Sequence, residues 1–192
     1  METPTLAGSI DSTTAPTPPP GSGVSVLPVL PVPGSSDISK LEEYQKKVAG
    51  TNIDTRSLLS TDYFNTFNSV VMVLDMLPDM PDMLEEIEQW KFVDYAEHFR
   101  TSGLDFADLA IEAYSFAPPD LRTAFEHKAN AIRIIIEEIA HMLRRLLDTG
   151  EKETFSNIAR FAVVQLRTMM EEGNGIVHGG STSSQADIDK MF

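Results

Sequence analysis

The 192-residue chain has no cysteine. That excludes disulfides, thiolate catalysis and every zinc or iron–sulfur site built on cysteine, and it removes any need for an oxidising compartment. Long apolar runs are also missing. The apolar stretches are short and broken by charge, well below the ~20 residues of a membrane-spanning helix. Residues 1–20 contain neither a basic segment nor an apolar one of signal-peptide type. The expectation is a cytoplasmic protein without direct membrane insertion.

Positive charge is scarce: 15 bases face 29 acids, for a net charge of −14. Such a field repels a phosphate backbone, which proteins meet with clustered Lys and Arg, so nucleic acid is excluded as the expected partner. A basic protein surface suits it better, although the same charge would keep the chain soluble in any case.

Residues 1–37 hold eight of the twelve prolines and no Lys or Arg. Proline fixes φ and removes an amide donor, so the segment reads as a disordered Pro-rich tail, polyproline-like around Pro18–Pro20. Its Val26–Pro33 run, VLPVLPVP, fits a plain linker or a docking peptide for an aromatic groove.

The remainder is helical in its periodicity, with no strand signals and no internal repeat. Ser36 is placed to cap a first helix through Leu41, Tyr44 and Val48, stopped at Gly50. Ser60-Thr61-Asp62 opens a second, in which Phe64, Phe67, Val71, Leu74 and Leu77 recur at threes and fours up to Pro78. Pro81 starts a short helix through Leu84, Ile87 and Trp90. Two more short helices are expected in 92–116, split at Gly103, the second striped by Leu104, Phe106, Leu109, Ile111 and Tyr114.

Pro118-Pro119-Asp120 begins the longest element, about 119–148. Its stripe is Leu121, Phe125, Ile132, Ile135, Ile139, Met142 and Leu146, with Lys128 in one slot. Ile136, Leu143 and Leu147 widen that face enough to leave room for a homodimer. Gly150 is a natural C-terminal stop. A last long helix, about 151–172, carries Phe155, Ile158, Ala162, Leu166, Met169 and Met170, and the short connection makes the pair antiparallel. The expectation is an all-α helical bundle over 38–173 built on this hairpin, then a flexible linker over 174–183 with a Gly179-Gly180 hinge.

Signals for chemistry are sparse. The histidines, His98, His127, His141 and His178, form no HExxH, no glycine-rich phosphate loop follows a strand, and no catalytic triad can be argued. No metal and no cofactor is expected. His127, in EHKAN, invites comparison with helical phosphotransfer proteins but lacks their following Lys-Gly, so it reads as a surface histidine. Gln165 counts as a seam position, three after Ala162 and four before Met169. A polar residue there sets register, or, in a sharper reading, is an amide that orients water.

The strongest signal lies at Ser184-Gln185-Ala186-Asp187-Ile188-Asp189-Lys190-Met191-Phe192. Ser184 and Asp187 have capping-box spacing, and Ile188, Met191 and Phe192 share one helical face flanked by Asp187 and Asp189. So short a helix cannot stand alone in water, which suits a segment that folds into a partner's groove. It resembles the receiver-binding peptide of the flagellar switch protein FliM, approximately Ser-Gln-Ala-Glu-Ile-Asp-Ala-Leu-Leu. It is also similar to the tail of the chemotaxis phosphatase CheZ, where bundle, linker and acidic-apolar helix follow in this order.

The resemblance implies a CheY-like receiver domain as partner, contacted by Gln185, Asp187, Ile188, Asp189, Met191 and Phe192. It covers nine residues of 192. In the CheZ family the catalytic glutamine has an acid four positions earlier; here that position is Phe161. The Glu171-x-x-Asn174 spacing is similar to the acid–amide pair of another chemotaxis phosphatase family, at what reads as a fraying helix end. The expectation is therefore a non-enzymatic signalling adaptor whose helical core binds an unknown protein. A receiver phosphatase using Gln165 is the alternative, and a histidine phosphotransfer protein a further one.

Overall fold

The structure, a computed structural model, describes residues 35–180. Within them the chain is all-α: α1 (Ser35–Lys47), α2 (Asn68–Met76), α3 (Leu84–Gln89), α4 (Tyr95–Ser102), α5 (Ala107–Tyr114), α6 (Pro119–Thr149) and α7 (Lys152–Val177). Two 3₁₀ segments, Thr61–Phe67 and Pro81–Met83, lead into α2 and α3. The expected Ser36 cap falls one residue inside α1.

Local chemistry sets most of the boundaries. The Ser60 hydroxyl accepts from the Asp62 amide, so the predicted entrance is a capped one, but the chain opens with 3₁₀ turns and becomes α-helical only at Asn68. Phe64, Phe67, Val71, Leu74 and Leu77 are all buried, as their spacing requires. The Asp94 carboxylate caps α4 by accepting from the Glu97 amide at 2.8 Å. Gly150, at φ +75°, ends α6: its amide donates to Leu147 O and that of Glu151 to Leu146 O, the double bond of a left-handed glycine cap.

The long hairpin is antiparallel, with Lys128 Nζ 2.6 Å from Glu172 Oε2 across it. α2 lies along α7, α3 along α6, and α2 touches α3, so four helices close a ring. Where they converge the core is aromatic. The Phe125 ring of α6 stands 5.1–5.6 Å from those of Phe64, Tyr63 and Tyr95. The buried tyrosines keep partners: Tyr63 Oη donates to Val93 O at 2.9 Å, and Tyr95 Oη accepts from the Ser60 amide at 3.0 Å. Burial pushes both phenols far above their ordinary range, so they remain neutral.

Three expectations change. On α6 the buried positions are Phe125, Ala129, Ile132, Ile136, Ala140 and Leu143. Of the predicted stripe, Ile135, Ile139 and Leu146 are half-buried and Met142 is exposed. The helix is packed on two sides, by α7 near Lys128 and by α3 where Arg144 pairs with Glu88 at 2.5 Å, so its buried centre lies between them. On α5 the buried residues are Ala110 and Ala113, with Ala117 just beyond, while Leu104 is exposed and Phe106, Leu109, Ile111 and Tyr114 are only half-buried. In both helices alanine supplies the contact that large-residue counting assigns elsewhere.

The third change concerns the supposed linker over 174–183. α7 does not fray at 172 but continues to Val177, with Ile176 and Val177 buried. Gly173 faces Phe64 so closely that a Cβ there would sit 2.3 Å from the ring. The glycine marks tight packing, not a break. Gly179, at φ +69°, donates to Ile176 O and Gly180 to Gly175 O, both at 2.9 Å. The expected hinge is thus a second left-handed glycine cap, and the described part of the expected linker, 174–180, is helix and cap.

Candidate functional site

The receiver-binding residues expected from the sequence, Gln185, Asp187, Ile188, Asp189, Met191 and Phe192, lie outside the described residues. Of the Pro-rich tail expected over 1–37, residues 1–34 lie outside them as well, while 35–37 already belong to α1. What the structure adds is the surface from which the tail departs and the surroundings of the other candidates.

Gln165 is exposed, so it does not occupy the seam. The buried face of α7 runs Phe155, Ala159, Ala162, Val163, Leu166 and Gly173. Gln165 is one residue before Leu166, about 100° around the helix. The step of three from Ala162 leads to the exposed edge of this face, not to its centre. Its neighbours on the outer surface include Phe161 and Val164, 61% and 58% exposed, and Arg160, Arg167 and Thr168 are also exposed.

His127 is exposed on α6, and His141 is exposed farther along the same helix. His98 is half-buried, edge-on to Tyr63 with ring centroids 5.6 Å apart. Desolvation holds its imidazole below the ordinary histidine range, against an opposing pull from Asp62. Glu171 and Asn174 do not form a shared exposed pair: Glu171 is exposed, whereas the Asn174 Oδ1 is buried without a hydrogen-bond partner.

His178 joins a cluster that sequence spacing could not reveal. Its Nδ1 is 3.2 Å from Asp54 Oδ2, and Arg56 donates from its guanidinium to the His178 carbonyl. Asp54 also accepts from the amides of Arg56 and Ser57 at 2.8 and 3.2 Å. Burial raises the Asp54 carboxyl, but those amides, the imidazole and the Arg56 charge outweigh it, so the group sits below its usual range. The loop that carries it is closed by an Ile53–Ser60 bridge and places Leu58, fully buried, at φ +58°. The arrangement ties the C-terminal cap of α7 to the loop after α1.

At the opposite end of the hairpin, Pro78, Pro81, Leu146, Leu147, Gly150, Lys152, Phe155 and Ser156 enclose a mostly apolar recess of about 270 Å³. It contains no acid, no histidine and no convergent polar set of the kind that fixes a reacting ligand. Among the described residues no group of three or more His, Asp and Glu could hold a metal ion. Nor is any described helix long and apolar enough to cross a membrane. What these surfaces offer is apolar and charged contact area. No protein-family model matches the chain, and no curated protein or solved structure matches it.

Proposed function

We propose that this chain is a non-enzymatic adaptor of chemotaxis or two-component signalling, which captures a CheY-like receiver through residues 184–192 while its helical body engages a second protein. The observation that carries the reading is the Ser184–Phe192 pattern: a cap, an Ile188/Met191/Phe192 stripe and two flanking aspartates. The helical body supports it by closing α7 with the Gly179–Gly180 cap, only four residues before Ser184. The peptide is thereby displayed close to a fixed point, which raises the local concentration of whatever it holds.

The test is a titration of the full chain against phosphorylated and unphosphorylated receiver. Truncating a buried anchor at a small interface costs about 1–3 kcal/mol, so Ile188→Ala should weaken binding to the phosphorylated form by roughly 5- to 150-fold. Asp189→Asn should cost less, and its effect should fade as salt rises. Equal, negligible binding to both receiver forms would overturn the reading.

One observation favours the phosphatase alternative over a register role for Gln165, namely its exposure on α7. An amide that orients water on another protein's phosphoryl group has to reach the surface. Receiver dephosphorylation accelerated by the chain and returned to its basal rate by Gln165→Ala would establish that activity.

A further inference from the structure

One stretch of α7 departs from the electrostatics of the whole. From Thr154 to Met170 the sequence holds Arg160 and Arg167 and not a single acid, in a chain of net charge −14. Both arginines are exposed, and neither has an acidic partner among the described residues. Lys128, Arg133 and Arg144 of the neighbouring α6 are all paired, with Glu172, Glu137 and Glu88. Val164 lies between the two arginines on one helical row, at steps of four and three, and Phe161 and Thr168 share its other side. Burying two apolar side chains left more than half exposed would be favourable, and their cationic flanks select an anionic occupant.

Three occupants can be compared. A second copy docked face to face would set Arg160 and Arg167 against the same arginines, with no acid on either surface to offset them. The Pro-rich segment has an apolar run at Val26–Pro33, but its acids within 1–34 are Glu2 and Asp11, far from that run. Residues 184–192 carry both features together: Ile188, Met191 and Phe192 on one face, with Asp187 and Asp189 beside it.

Reach permits this occupant. From Gly180 back to Val164 is 16 residues of helix and cap, about 24 Å at the helical rise. Three extended residues, 181–183, followed by a helix over 184–192 span about 23 Å to Phe192, and a more extended chain reaches farther. Docked antiparallel to α7, Met191 and Phe192 come level with Val164 while Asp187 and Asp189 lie toward Arg167. A linker this short gives an effective concentration on the order of millimolar, so a contact weak between separate molecules suffices within one.

We propose that residues 184–192 fold back on the chain's own α7, seating Ile188, Met191 and Phe192 along the row from Thr168 to Val164 and setting Asp187 and Asp189 against Arg167, with Arg160 adding to the cationic field beyond the tip. This goes beyond the receiver reading and does not rest on it. Were both true, the same apolar stripe would serve two surfaces, and a receiver would have to displace α7 before it could bind.

The test needs no receiver. Because the chain lacks cysteine, Lys190→Cys accepts a single nitroxide at a position outside the apolar stripe. Amide relaxation is then read along α7 in the full, isotope-labelled chain. The expected result is strong broadening over residues 160–168, weakened by salt as the screening length shortens. It should be lost in Arg160→Glu/Arg167→Glu and regained when Asp187→Lys/Asp189→Lys is added. Unchanged helical signal and melting temperature in the doubly substituted chain separate lost docking from unfolding. Broadening confined to residues nearest Gly180 would overturn the proposal. So would broadening of unspiked, isotope-labelled chains mixed with spin-labelled, unenriched ones, which would assign the contact to a second copy.

Discussion

The short helices before residue 118 and the hairpin after it are held together by different means. Between Tyr44 and Phe116 the packing is built of rings: Tyr63 meets Phe64, Phe67 and Tyr95 at 5.6–6.0 Å, Tyr95 stacks on Tyr114 at 4.5 Å, and Tyr44 stacks on Phe116 at 4.5 Å. The hairpin instead buries Ala129, Ala140, Ala159, Ala162 and Gly173 among its branched residues. Rings contribute area to elements too short to persist alone, since a six- or eight-residue helix is unstable in water. Small residues contribute closeness between two long helices whose larger side chains then interdigitate.

The comparison breaks most severely at Phe125, the one hairpin ring that enters the aromatic cluster. Phe125→Ala should cost about 3–5 kcal/mol, the range for truncating a buried phenylalanine. Chemical denaturation should show a lower midpoint for the whole transition rather than separate melting of the two regions. Two transitions would mean that the regions are energetically independent.

Glycine offers a sharper contrast. Gly173→Ala would drive a methyl into the Phe64 ring, and should destabilise by roughly 1–3 kcal/mol as an overpacking change. Gly175→Ala, two residues on, meets nothing within 4 Å and should stabilise by about 0.5–1 kcal/mol through helix propensity. Thermal melts of the two variants should move in opposite directions. Shifts of one sign would show that propensity, not the ring, governs this end of α7.

The smallest effect is expected at His98. Its folded-state pKa lies below the ordinary 6.5 because burial disfavours the imidazolium. The unfolded chain therefore binds the proton first, and stability is full above 6.5, falls as pH drops through that value, and levels once the folded form is also protonated. Melting temperatures between about pH 7.5 and 5.5 should decline slightly in the native chain and decline less in His98→Gln.

How much could be read in advance follows the same division. Phe64, Phe67, Leu74, Leu84 and Ile87 announced themselves through size and spacing, and the Ser60 and Gly150 stops through cap chemistry. The failures cluster on alanine and glycine. Ala110, Ala113, Ala129 and Ala140 form the centres of buried faces but add little to a hydrophobic stripe, so α5 and α6 were turned toward larger residues at their edges. Gly173 looked like an exit because its role depends on Phe64, more than a hundred positions earlier. Gln165 lies on the same kind of edge on α7, beside the buried Leu166. The Asp54–His178 pair joins residues 124 apart, and no local rule brings them together. The six tail residues lie outside the described region, and their assignment still rests on their own pattern.

The junction at His178 also has a mechanical meaning. A segment leaving an ordinary helix end can peel away one turn at a time, because terminal carbonyls are easily given up to water. Here the last turn is closed by two glycine-cap bonds, gripped from the side by Asp54 and Arg56, and backed by the buried Ile176 and Val177. Tension applied beyond Gly180 would therefore be shared with the loop at 54–56 and would not fall on the last turn of α7 alone.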